Sequence, residues 1–198
     1  MKNFLRLAEG IDITPLRLAV ARRPDLWAED TFLRHYPQGP FEDVETIFLR
    51  FPKRVVFDDA DAAEQERKIS LYKDNMLPGY DQQESIDYPA YALFPQAREI
   101  VLALMHRVAG VRLGRVMINK VRAGGRIFPH ADCPEHANYW NNRLHVVLQS
   151  LPGNDFRCED EHIHMRAGEV WWFDNRLDHE VINNSADDRI HMVVDIRS

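Results

Sequence analysis

Near the C-terminus, Arg189, His191, Val193 and Asp195 alternate with Ile190, Met192, Val194 and Ile196. Successive side chains of a β-strand point to opposite faces, so this period of two describes a strand with one apolar face and one largely ionisable face. Arg143 to Ser150 repeats the pattern. Arg143 and His145 share one face there, and Leu144, Val146 and Leu148 share the other. An open sheet would turn such polar faces to water. A closed two-sheet barrel turns them inward, where they are tolerable only when paired with one another or with a bound charged molecule.

The rest of the chain favours the barrel. From Val111 onward it reads as short strands: Arg115 to Val121, Ile127 to Asp132, Arg143 to Ser150, Glu169 to Asp174, Glu180 to Asn183 and Arg189 to Ile196, with Gly124-Gly125 as a turn. Residues 1–110 read as a helical and loop lead-in carrying substrate-shaping elements. Thr14 as N-cap and Pro15 as first residue predict a helix to about Ala28, with Leu16, Ala19, Val20 and Trp27 near one face. Arg34 to Pro40 reads as loop, and Thr46 to Phe51 and Arg54 to Phe57 as short strands. Asp58 to Tyr91 mixes charge with Pro78-Gly79 and is the least structured by pattern, a lid or substrate loop. Pro95 opens a second helix whose stripe of Ile100, Val101, Leu104, Met105 and Val108 packs outside a sheet before Gly110 ends it. The expected fold is mainly β with flanking helices: a double-sheet jelly roll, one domain over 1–198, with its core in 111–198.

With 198 residues, 45% hydrophobic and 28% charged, the chain can bury one core and is short for two domains. A formal net charge of −6 argues against nucleic acid as a partner, since phosphate-backbone binders carry a basic stripe. No apolar run reaches bilayer length and residues 1–6 lack a signal-peptide core, so the expected location is the cytoplasm. Cys133 and Cys158 lack framework spacing and read as free thiols.

The chemistry gathers in the same half of the chain, where seven of the nine histidines lie between His130 and His191. His130 and Asp132 stand at i and i+2, which in a strand puts imidazole and carboxylate on one face, and His179 follows 49 residues later. Two imidazoles and a carboxylate on one side of an ion form the arrangement typical of non-haem Fe(II) oxygenases. Arg189 then reads as the anchor of an acidic co-substrate. His136, His162, His164 and His191 compete as ligands; His162 and His164 form another same-face pair but lack a third donor, and read as a solvated strand or site rim. Cys133 should point away from the ion. Trp171, Trp172 and Phe173 read as a site wall or as core, and Asn183 as an orienting group or a turn cap.

From about Val116 onward the chain resembles the aspartyl/asparaginyl β-hydroxylase-like branch of the Fe(II)- and 2-oxoglutarate-dependent oxygenases. The resemblance rests on residues 122–130, Arg143-Leu144-His145, Gly168-Glu169-Val170, Phe173-Asp174, His179-Glu180-Val181, and Arg189 followed by Val194-Asp195. It implies a double-stranded β-helix, cupin-like, in which His130 and His179 ligate iron. It further implies that Arg189 pairs with the distal carboxylate of 2-oxoglutarate, and that Arg143 and His145 contact the co-substrate inside the barrel. Animal members of the branch carry glycine where Asp132 stands, so Asp132 restores the full triad of the wider superfamily. The implied reaction consumes O2 and 2-oxoglutarate, releases succinate and CO2, and hydroxylates an unactivated C–H bond of a small molecule or a protein side chain. Two alternatives keep the barrel: a cupin-type metalloenzyme without 2-oxoglutarate, against which Arg189 argues, and a small-acid sensor with no redox metal.

Overall fold

The chain crosses repeatedly between two antiparallel sheets. A computed structural model describes residues 2–35 and 39–198, so part of the loop expected from Arg34 to Pro40 lies outside the described residues. The strands are β1 (Phe4–Ala8), β2 (Val44–Pro52), β3 (Ser85–Asp87), β4 (Arg112–Val121), β5 (Arg126–His130), β6 (Asn142–Gln149), β7 (Asn154–Cys158), β8 (Glu161–Ile163), β9 (Val170–Phe173), β10 (His179–Asn183) and β11 (Arg189–Arg197). The helices are α1 (Thr14–Ala21), α2 (Ala62–Lys73), α3 (Pro89–Leu93), α4 (Pro95–Arg107) and α5 (Pro134–Tyr139), with a 3-10 helix at Pro24–Ala28. A major sheet runs in the order β1-β9-β6-β11-β4-β2-β3, and a minor sheet in the order β5-β10-β7-β8. From β4 onward the strands step back and forth between the two sheets, which is the jelly roll the alternation called for. Among the described residues no helix is long and apolar enough to cross a membrane.

The two faces of the major sheet separate as the period of two dictates. Leu144, Val146 and Leu148 of β6 and Met192, Val194 and Ile196 of β11 pack outward against Leu16 and Val20 of α1 and Val101 and Leu104 of α4. Each such burial removes a large apolar side chain from water, worth about 1.5–3 kcal/mol. A second cluster, Val121, Ile127, Val147, Phe156, Phe173 and Val181 among its members, fills the space between the sheets. Arg143, His145, Arg189, His191 and Asp195 share that inner space.

Several expected elements differ. The first helix stops at Ala21 because Pro24 forces Arg23 to φ −127°, ψ 60°, and the chain resumes as the short 3-10 turn. Arg54 to Phe57 is not a strand. Arg54 instead lays its guanidinium 3.7 Å from the Phe32 ring centroid and pairs with Asp30 at 3.0 Å, while β3 takes the edge beside β2. Within the segment expected to be least structured, α2 is a regular helix capped by the Asp61 side chain, which accepts from Ala63 N–H at 3.0 Å. It buries no side chain, so it carries no apolar period to read. The lead-in supplies three strands of the major sheet, β1, β2 and β3, of which the sequence pattern predicts only β2. Gly110 does follow α4, but the positive φ of 51° belongs to Ala109. Glycine is required at 110 by proximity, since a Cβ there would meet Ile196 Cγ2 at 2.5 Å.

Candidate active site

His130 ends β5 and His179 begins β10, and the two are direct partners across the minor sheet. Their ring centroids lie 4.3 Å apart. Each Nδ1 bonds a backbone carbonyl two residues back, His130 to Phe128 at 2.8 Å and His179 to Leu177 at 2.9 Å. A carbonyl only accepts, so Nδ1 carries the proton in both rings and Nε2 keeps a lone pair for an ion. Burial, with the neighbouring His130, pushes His179 down to about 4, which keeps it neutral and ready to ligate.

Asp132 reaches the site differently from the expected strand geometry. β5 ends at His130, and Asp132 sits in the following bend, where its N–H donates to Asn175 O at 2.9 Å. Its Oδ1 is nevertheless 3.9 Å from His130 Nε2, and the ligand atoms of His130, Asp132 and His179 all lie within 4.8 Å of one another. Burial opposes its charge, but Arg143, His179 and the Asn175 amide outweigh that and hold the carboxyl below the usual range. Two imidazole nitrogens and one ionised carboxylate, clustered with nothing between them, fit a divalent ion such as Fe(II).

Arg143 stands behind this carboxylate. Its Nη1 donates to Asp132, its Nε to Asp195 Oδ1 at 2.8 Å and its Nη2 to Asp195 Oδ2 at 2.9 Å. His136, buried on α5, closes the network with Nε2 3.0 Å from Asp195. Burial disfavours the Asp195 charge, yet Arg143 and His136 hold it far below the ordinary carboxylate range. Asp195 and His136 thus join the site as supports that sequence reasoning did not assign; the inward alternation of β11 was the one signal for Asp195.

At the other end lies an unpaired cation. Arg189 is 3% exposed, and among the described residues no carboxylate pairs with it. It approaches His191 Nδ1 at 3.0 Å and the Phe156 ring at 5.6 Å, and burial alone lowers its pKa to about 9. His191 in turn lies 3.4 Å from His145 Nδ1. Burial, then the Arg189 charge, keeps both histidines well below their ordinary value and so neutral. Ser150 Oγ, Asn154 Oδ1 and His191 Nε2 are buried nearby without partners. An uncompensated buried guanidinium among unsatisfied polar atoms is costly, and a carboxylate entering beside it would relieve the cost. His145 lines the cavity of about 120 Å³ that holds His130, Asp132 and His179, and Phe156 lines both that cavity and the neighbouring pocket of Arg189 and His191, so the two adjoin.

The remaining candidates sort by contact. His162 pairs with Asp155 at 3.1 Å and His164 with the Asn154 carbonyl at 3.1 Å, away from the triad. Of the aromatic run, Phe173 lines the site, 4.8 Å from His179 and 5.3 Å from His145; Trp171 shares its between-sheet cluster but donates Nε1–H to Glu169 at 2.8 Å, and Trp172 packs against the outer cluster. Asn183 clamps a turn, its Nδ2 donating to Val121 O at 2.9 Å, Arg122 O at 3.0 Å and Asp187 O at 2.9 Å. Cys133 is exposed and Cys158 buried, both free.

A family model described as Aspartyl/Asparaginyl beta-hydroxylase matches residues 49–198. The chain belongs to this family. Among curated relatives of this hydroxylase-family chain, L-proline cis-4-hydroxylase of Rhizobium meliloti (strain 1021) is 32% identical over 90 residues, 46% of this chain and 31% of that enzyme. Among solved structures, a 2OG-Fe(II) oxygenase family oxidoreductase from Burkholderia pseudomallei is 16% identical with a TM-score of 0.47, covering 89% of this chain and 76% of its own. A viral collagen prolyl hydroxylase from Paramecium Bursaria Chlorella virus-1, in complex with 2OG, is 13% identical with a TM-score of 0.46, covering 99% of this chain and 96% of its own.

Proposed function

We propose that this chain is an Fe(II)- and 2-oxoglutarate-dependent oxygenase that hydroxylates an unactivated C–H bond of an amino-acid substrate, with release of succinate and CO2. The observation that carries the reading is a cluster of His130, Asp132 and His179 in one cavity, adjoined across Phe156 by a pocket whose buried Arg189 guanidinium has no counter-ion among the described residues. His130, Asp132 and His179 would hold Fe(II), which supplies the O2-dependent oxidising chemistry when bound. Arg189 would take the distal carboxylate of 2-oxoglutarate, because a planar guanidinium can hold a carboxylate through two charge-assisted hydrogen bonds. His145 and His191, being neutral, offer that co-substrate hydrogen bonds without adding charge. Arg143 already spans Asp132 and Asp195, so its role is to keep the Asp132 carboxylate ionised and aimed. Phe173 closes one wall against water. Family membership supports the reaction type, and the Rhizobium relative, a proline hydroxylase by name, supports an amino acid as substrate class.

Succinate formed from 2-oxoglutarate with Fe(II), in the absence of any other substrate, tests the proposal directly. Arg189→Leu should raise the KM for 2-oxoglutarate steeply while Mn(II) still binds, since deleting one partner of a buried charge pair costs roughly 2–5 kcal/mol. Arg189→Lys should recover part of the loss, because a point charge replaces a fork. A wild-type protein that binds the ion but makes no succinate would refute the co-substrate assignment.

A further inference from the structure

Among the described residues, Arg115 is a second cation without a counter-ion of its own. It points inward from β4, on the same face as Met117 and Asn119, and lines the cavity that holds His130, Asp132 and His179. Its side chain is part-buried, and its Nε is shut off from solvent with no hydrogen-bond partner. The guanidinium lies 4.9 Å from the Phe51 ring centroid. The carboxylates whose charge reaches it, Asp195 and Asp132, are both bonded to Arg143. Burial lowers its pKa, the mark of a charge that nothing beside it compensates.

The register of the sheet places this cation far from Arg189. Arg189 pairs with Val121 of β4, and Val194 pairs with Val116, so Arg115 lies at the opposite end of the same strand pair. Six residues of strand separate Arg115 from Val121, on the order of 20 Å at 3.3 Å per residue. One small dicarboxylate cannot occupy both ends while also reaching the triad. The cavity surface beside Arg115 is apolar, with Leu33, Phe41, Phe51 and Met117. A ligand fitting there carries a negative group at one end and an apolar body toward the metal ligands.

We infer that Arg115 is a specificity-determining residue that receives a carboxylate of the substrate, so that the substrate is a free amino acid or similar small carboxylic acid. A residue inside a peptide chain has no α-carboxylate to offer, and is the competing substrate class. The inference rests on the proposed oxygenase reading and narrows its substrate.

The test measures succinate release with Fe(II), 2-oxoglutarate and a panel of free L-amino acids, L-proline included, beside the amide of each and tripeptides carrying the same residue internally. At least one free acid should accelerate succinate release over the baseline without it, with kcat/KM above that of its amide by roughly 30-fold or more, the lower end for losing one partner of a buried charge pair. Arg115→Gln should erase that preference by raising the KM for the acid, and Arg115→Lys should restore part of it. A merely structural role would depress acid and amide alike and leave their ratio in place. The inference is overturned if no free acid accelerates turnover, if amides or internal residues serve as well as acids, or if Arg115→Gln keeps the wild-type ratio. A wild-type baseline with no such preference sinks this inference alone; a missing baseline sinks the oxygenase reading beneath it.

Discussion

Arg143 shows how a single side chain can set the character of the proposed metal-binding group. Its guanidinium is shared between Asp132 and Asp195, so the Asp132 carboxylate is fixed in place before an ion arrives. His130→Ala or His179→Ala should abolish Mn(II) binding in isothermal titration, because two remaining donors hold an exchangeable ion weakly. Asp195→Asn removes a charge that touches no ligand, yet should weaken Mn(II) by roughly 10–100-fold, the usual effect of losing a partner that orients a ligand. Unchanged affinity in the Asp195 variant would show that Arg143 needs no second carboxylate. The residue types were legible in part. His130, His179 and Arg189 announced themselves by spacing and alternation, whereas the Arg143–Asp195 and His136–Asp195 contacts join positions 52 and 59 apart, and no local pattern encodes which inward residues meet.

Strand β6 presents the alternation in its clearest form at the level of the element. Leu144 and Val146 are fully buried on its outer face, beneath the helices, while Arg143 and His145 point into the barrel. Val146→Asp places an unpaired carboxylate in apolar surroundings and should cost several kcal/mol, a large part of the ~5–15 kcal/mol that holds a domain folded. The expected result is insoluble or unfolded protein by circular dichroism; a soluble, cooperatively melting variant would mean that the outer face is not packed. Strands with one apolar face were readable for this reason, and so was α4. Helix α2 was not, because it rests no side chain in the core and its helix-forming residues give propensity without period. The bend at Asp132 was hidden too, since i and i+2 share a face only while the strand continues, and this one stops at His130.

The whole molecule keeps three histidines neutral inside one barrel, and that makes its stability depend on pH. His179 is pushed down to about 4, and His145 and His191 lie well below the ordinary value. Unfolded, each titrates near 6.5, so between about 6.5 and 4 the unfolded chain binds more protons than the folded one. Stability of the metal-free protein should therefore fall as pH drops through that window, by roughly 3 kcal/mol from His179 alone. The lowered carboxylates, Asp132 and Asp195, add their loss only below about 3.9. Urea denaturation at pH 7 and pH 5 checks this, and equal midpoints would show that the histidines are not held neutral. The pairing of His130 with His179 has the opposite consequence for metal loss. Their spacing is inherited from a hydrogen-bonded ladder, so a chelator should strip a bound ion without melting any element, and a returning ion should find its seat without waiting for the chain to search.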